Sequence, residues 1–447
     1  MMWIFMMKSV ALGGAALLLL VAIASKRIVG SWINAASIFS LFWFAYTAFP
    51  LVFAWDVPIN LGAIFYIVLF NVLFASSVVF FNWDAALQAN KNKVSAHAAF
   101  GSRLLVLALF VVSTFSIVCI FQGMRLQGIE FSGNIIEFAG NYAALRYANA
   151  LTENIYSKLS ILLNFLVIVM GGFAWGGSRG NKLRGGILCA SFAPVSLLMI
   201  TQSAKGPFLL AVALFLGAAL VTRVYEKKYS LIDGKSARIL AKWGVACFVL
   251  VMITFLSRGV DTQGSPGSIF HSLWDYFLSY SSGHLYAFAD WFSDRYFDYS
   301  LVSYSREDLT YGFYSFMSFF RIFGDDRSIP FGTYEEVYEY HGALVTNIYT
   351  AFRGLITDFS LAGSLMVGWV AGFFCNWICF GLYSERNNAF FVVAFVYFFA
   401  FAYQSFLIST FTWASVPTSF IMLVAFFWIY FGVRLSAKHV RVGEVGG

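Results

Sequence analysis

Residues 103–123 read RLLVLALFVVSTFSIVCIFQG: an arginine, then twenty residues without a formal charge. About twenty apolar residues at 1.5 Å each cross a hydrocarbon core of about 30 Å, so this stretch reads as a transmembrane helix. On either side of it, similar segments fall at 9–25, 29–54, 59–82, 158–176, 186–203, 207–222, 240–257, 357–383, 389–411 and 414–433. The whole chain is 60% hydrophobic and 11% charged, with a mean hydropathy of +0.75. Soluble domains are about one quarter charged, so the solvent for this chain is lipid. The expectation is an all-α polytopic membrane protein of about eleven spans. It comprises an N-terminal bundle over 1–257, a long outer loop over 258–356, three spans over 357–435 and a tail over 436–447. Lys26 and Arg27 follow the first segment and no small-residue cleavage site precedes the next, so it reads as a span and not as a cleaved signal.

Lysine and arginine in short loops set orientation. Lys26/Arg27, Lys91/Lys93/Arg103, Arg179/Lys182/Arg184, the Arg223–Lys242 linker, Arg386 and the tail with Lys438 and Arg441 fall on one side, the cytoplasm. The 55–58 turn, the 124–157 loop, the Ala204–Pro207 turn and the 258–356 loop fall on the other. The N-terminus is therefore expected outside and the C-terminus inside. The net charge of +7 follows these loops and forms no basic stripe, so nucleic acid is not an expected partner.

Cys119, Cys189, Cys247, Cys375 and Cys379 all lie in spans, which excludes a disulfide framework in the outer loop. Cys375 and Cys379 share a helix face without further ligands and read as small buried residues. Of the five histidines, His271, His284 and His341 lie in the long loop, whereas His97 and His439 are cytoplasmic. No two have metal-ligand spacing, so neither a metal nor a cofactor is expected.

The long loop holds twelve Asp and Glu, six Arg, no Lys and twelve of the 23 tyrosines. Gly259–Ser268 reads as a flexible link. Phe270, Leu273, Trp274, Phe277, Leu278, Leu285, Phe288, Trp291 and Phe292 then recur near helical spacing. They predict an amphipathic helix on the membrane or the bundle, with a break near Ser282–Gly283. Phe313–Phe323 is apolar but too short to span, and it carries Arg321.

Arginines 258, 295, 306, 321, 327 and 353 stand out because a guanidinium binds phosphate or carboxylate bidentately. Two readings apply to each: an interfacial anchor (for Arg353, a pair with Asp358) or a contact to a lipid-linked phosphate. Lys205 sits in Thr201-Gln-Ser-Ala-Lys-Gly-Pro207, a polar break on the outer side. There it either snorkels or meets an anion at the start of the next helix. His341 lies near Glu335, Glu336 and Glu339 and can accept a hydroxyl proton; a solvated loop histidine is the plainer reading. The tyrosines suit either a membrane-surface belt or sugar rings.

The stretch His341-Gly-Ala-Leu-Val-Thr-Asn-Ile-Tyr-Thr-Ala-Phe-Arg-Gly-Leu-Ile-Thr-Asp-Phe-Ser-Leu-Ala-Gly363 resembles a segment of bacterial oligosaccharide repeat-unit polymerases (Wzy-type O-antigen polymerases). Those proteins often read Thr-Asn-(Val/Ile)-Tyr-Thr, then Arg, then Asp-Phe-Gly. Ser360 stands here where Gly is usual. The Ser-Ala-Lys-Gly turn resembles that family's short basic turn, and the position of the long loop is similar too.

The resemblance implies a fold like the GT-C-like lipid-donor glycosyltransferases, in a bacterial inner membrane with its site facing the periplasm. It implies transfer of a growing glycan from undecaprenyl diphosphate onto a new lipid-linked repeat unit, with a chain-length regulator as partner. In that reading Lys205, Arg258, Arg321 and Arg353 bind the diphosphate, with Asn347 and Tyr349 beside them. His341 is the base, with Glu336 and Glu339 in reserve. An O-antigen ligase is the nearest rival, and a lipid-linked oligosaccharide flippase is a rival of another class. A flippase predicts matched halves and mid-membrane ionisable residues, and no internal repeat is found here.

Overall fold

In the computed structural model the described residues exclude 1, 130–137, 139–140, 143, 146–150, 153, 203–204, 235–237, 239–243, 246–247, 250–251, 253–264, 306–307, 326, 328–333, 343, 386 and 444–447. The side chains of 205, 266 and 434–443 are also outside the description. In chain order the elements are α1 (Met2–Val29), α2 (Ala35–Phe53), α3 (Leu61–Ser76), α4 (Trp83–Lys91), α5 (Ala96–Phe100), α6 (Arg103–Leu126), α7 (Ile155–Gly177), α8 (Asn181–Gln202) and α9 (Lys205–Tyr225). They continue with α10 (Pro266–Phe297), α11 (Phe313–Ile322), β1 (Tyr338–Tyr340), β2 (Leu344–Thr346), α12 (Thr350–Ser384), α13 (Ala389–Gln404) and α14 (Ser415–Gly443).

Nine helices among the described residues are long and apolar enough to cross a membrane: α1, α2, α3 with its 3₁₀ extension to Phe80, α6, α7, α8, α9, α12 and α14. Helix α13 is apolar but only 16 residues long, shorter than the 389–411 span expected. The span expected at 240–257 lies mostly outside the described residues. The architecture is thus an all-α polytopic membrane protein. Side-chain caps mark the helix starts: Asn34, Asn60, Ser102 and Asn154 each accept a backbone N–H of the first turn, which has no partner within the helix.

The chain divides into two compact units. The first comprises Met1–Phe81, Ser230–Asn376 and Phe401–Ala414. In it α1, α2 and α3 pack together and α10 lies against α2 and α3. Its core is aromatic. Trp43 is fully buried with its ring 4.3 Å from that of Phe352, and Phe39 stacks on Phe74 at 4.5 Å. Gly368 and Gly372 of α12 sit one turn apart, where a Cβ would come within 2.5 Å of the Phe70 ring and 2.1 Å of the Phe74 carbonyl. Close packing through small residues of this kind drives helix association where lipid offers no hydrophobic gain. The second unit comprises Asn82–Tyr229, Trp377–Ala400 and Ser415–Gly447. Its centre is α7, against which α5, α6, α8, α9 and α14 pack. Gly172 and Gly176 of α7 lie against Ala218 and Thr222 of α9.

The long loop differs from its expectation in two respects. Helix α10 runs unbroken for 32 residues through Ser282–Gly283. Ser265 caps it by accepting from Ser268 N and Pro266 opens it, so the end of the expected flexible link is in fact a helix start. Gly283 meets a strand and does not break the helix: a Cβ there would lie 2.6 Å from Thr346 Cγ2. One turn earlier, Ser279 Oγ accepts from Val345 N at 3.1 Å. These two positions seat β2, which pairs antiparallel with β1 in the register Tyr338↔Thr346. Leu285, Tyr286, Ala287 and Phe288 are buried, so this length of α10 belongs to the core of its unit.

Candidate functional site

Arg353 lies in the first turn of α12 and is 1% exposed. A buried guanidinium needs a counter-charge and acceptors for its five N–H groups. Its Nη2 donates to Glu336 Oε2 at 3.0 Å. Its Nε and Nη1 find no acceptor among the described residues. Aromatic faces surround it: its Cζ lies 3.8 Å from the ring centre of Tyr334, 4.4 Å from Tyr349, 5.4 Å from Tyr304 and 5.5 Å from Trp291. Ring faces attract a desolvated cation. Gly354 makes room for this shell, since a Cβ there would lie 3.1 Å from Tyr314 Cβ and 3.4 Å from the Tyr334 hydroxyl.

The shell is assembled from distant segments. Trp291 comes from α10 and Tyr304 from the turn that follows it. Tyr334 and Glu336 precede β1, and Tyr349 precedes α12. Tyr349 donates to the Glu336 carbonyl at 3.1 Å and meets the rings of Tyr304 and Tyr334 edge-on. Asp290 of α10 accepts from Tyr304 Oη at 3.0 Å and from Leu301 N at 2.9 Å. Burial raises its carboxyl above the ordinary range, against those hydrogen bonds.

Ser305 donates to Glu336 Oε1 through both N and Oγ, at 3.2 and 2.9 Å. Burial alone would raise the Glu336 carboxyl, but Arg353 and these hydrogen bonds hold it below the usual range. Burial pushes the Tyr349 phenol up to about 12. Ser305 and Trp291 also line a cavity of about 430 Å³, beside Asp294, Arg295, Tyr296, Asp298 and Asp308.

Of the residues expected from sequence, Arg353, Glu336 and Tyr349 therefore converge. His341 and Glu339 do not join them: His341 is exposed at the β1–β2 turn in the left-handed region (φ 49), and Glu339 is exposed on β1. Asn347 is half-buried between β2 and α12, and Arg321 is exposed near the end of α11. Lys205 opens α9, with Pro207 in the first turn as expected, but its side chain lies outside the described residues. Arg258 and Arg306 lie outside them altogether.

The Arg353–Asp358 pair is not formed. Asp358 accepts instead from Thr310 Oγ1 at 2.5 Å and from Tyr314 N and Ser315 N at 3.0 and 2.7 Å, which caps α11. Arg327 is held by Asp325 over the Phe313 ring. Among the described residues no group of three or more His, Cys, Asp or Glu is placed to hold a metal ion. Sequence reading passed over Asp294, Tyr304, Ser305, Asp308 and Tyr334 as site residues. The dense charged and aromatic run 290–299 was the available signal for Asp294 alone.

No family model matches the chain, and neither does any curated protein or solved structure.

Proposed function

We propose that this chain is a membrane glycosyltransferase. It polymerises undecaprenyl-diphosphate-linked oligosaccharide repeat units into O-antigen or a related surface polysaccharide at the outer face of a bacterial inner membrane. The observation that carries the proposal is Arg353, a buried arginine inside an aromatic shell whose Nε and Nη1 have no acceptor among the described residues. It stands in the His341–Gly363 stretch whose sequence resembles such polymerases.

In the reaction an acceptor hydroxyl attacks the reducing-end carbon of the growing glycan. The bond from that carbon to the diphosphate oxygen breaks, and the diphosphate leaves with the electron pair. Fixed cations aimed at that leaving charge lower the barrier most effectively in a water-poor site. Arg353 supplies Nε–H and Nη1–H for it, with Lys205, Arg258 and Arg321 as the further cations. Glu336, held as a carboxylate by Arg353, is a poor proton acceptor and positions the guanidinium. The hydroxyl proton is assigned to His341, with Glu339 in reserve; both stand apart from Arg353 on the exposed β1–β2 hairpin, so the acceptor unit must bridge the two. A chain-length regulator is the expected protein partner.

A deletion strain tests the reading. Loss of the gene should leave lipopolysaccharide core capped by a single repeat unit, and Arg353→Ala should give the same band at normal protein level. Core carrying no unit would point to a ligase or a flippase. A full ladder from Arg353→Ala would remove the site.

A further inference from the structure

We infer that the cavity beside the Arg353–Glu336 pair is a saccharide subsite that takes neutral or amino sugars and rejects acidic ones. The inference rests on the proposed function for its choice of a saccharide as occupant. At about 430 Å³ the cavity falls in the lower part of the range of small-molecule sites, about 300–1,000 Å³. That is room for a short saccharide segment, and too little for a whole lipid-linked chain.

Its walls carry what a sugar ring needs. Tyr296 is exposed beside the cavity and offers a ring surface with a polar tip, whereas Trp291 is buried in its wall. Asp294, Asp298 and Asp308 present carboxylate oxygens that accept from hydroxyls. Asp294 Oδ1 already accepts from Ser300 Oγ at 3.2 Å, and its Oδ2 has no partner among the described residues.

Charge decides which sugar. Among the described residues three carboxylates line the cavity with one guanidinium, that of Arg295, so a uronate brought inside adds a like charge, whereas an ammonium group gains attraction. The same balance directs a diphosphate away from the cavity. The path toward Arg353 is short: Ser305 lines the cavity and donates to Glu336, and the Trp291 ring lies 5.5 Å from the Arg353 guanidinium. A sugar seated here has one end next to the group proposed to hold its diphosphate.

Saturation-transfer NMR on the full-length protein in nanodiscs tests this with three trisaccharide probes: the neutral N-acetylglucosamine trimer, the glucosamine trimer and trigalacturonate. The first two should bind, and trigalacturonate should bind at least about tenfold more weakly. The Asp294→Asn/Asp308→Asn variant, with unfolding temperature as the check on folding, should narrow the gap to about threefold or less. Equal binding of all three by the unaltered protein, binding of none, or an unchanged gap in the variant would each overturn the subsite. The polymerase reading fails separately, through a normal ladder in the deletion strain, and selective binding would then still stand.

Discussion

At the scale of single residues, Arg353 and Ser360 carry distinct predictions. Lysine keeps the charge at 353 but has no planar fork to lie 3.8 Å over Tyr334 while donating to Glu336. Arg353→Lys should therefore lose about 10²-fold in polymerisation rate, near the effect of removing one fixed donor at a developing negative charge; transfer between purified lipid-linked units measures it. Ser360 sits inside α12 at φ 65, ψ 174, a region that side chains other than hydrogen enter at about 1–3 kcal/mol. Its Oγ accepts from Gly363 N at 3.4 Å and so caps the second half of the helix, which partly offsets the strain. Glycine caps only a few tenths of a kcal/mol worse than serine. Ser360→Gly should accordingly stabilise by about 1 kcal/mol, and Ser360→Ala, which keeps the strain without the cap, should destabilise by about as much. Thermal unfolding in detergent separates the two. Arg353 was legible because an arginine at a span entrance is costly without a partner. Its partner was not, since Asp358 is nearer in sequence than Glu336 and only the chain's path brings the latter into contact.

At the scale of elements, α10 is the piece on which the site is hung. Its Gly283 invites a propensity argument that alanine would stabilise the helix by about 1 kcal/mol. Contact with Thr346 reverses the sign: Gly283→Ala should destabilise by about 1–3 kcal/mol by pushing β2 off the helix. Adding Thr346→Ala, which removes the nearest atom, should make the double variant milder than the sum of the singles.

His284, on the same helix, donates from Nε2 to Tyr46 O at 3.0 Å and packs against the Tyr46 and Phe406 rings, and burial pushes its imidazole down to about 4. The unfolded chain binds a proton near pH 6.5 that the folded chain refuses until about 4. The resulting stability is complete above pH 6.5 and is lost as pH falls toward 4. Unfolding temperature should drop across that window and drop less in His284→Gln. Glu336, also depressed, acts in the same direction but below its ordinary carboxyl range. The helical period of 270–292 was readable from side-chain spacing. The absence of a break was not, because glycine signals close approach and chain bending alike.

At the scale of the molecule, the charge pattern of the loops makes its own prediction. Alkaline phosphatase, active only outside the cytoplasm, should be active when fused after Gly324 and inactive when fused after Gly443. The reverse pattern would move the proposed site to the wrong face for a periplasmic substrate.

Amphipathic and apolar periods are local properties of a chain. The apolar runs were therefore enough to read an all-α polytopic membrane protein and the place of most of its spans. Burial of Arg353 by Trp291, Tyr304, Tyr334 and Tyr349 depends on four stretches of chain meeting at one point, and no periodicity records such a meeting. That Glu336 is the counter-ion, that Asp358 caps α11 and that His341 faces solvent follow from the folded chain alone. A buried charge takes the partner that packing brings within hydrogen-bond reach, whatever its distance along the chain.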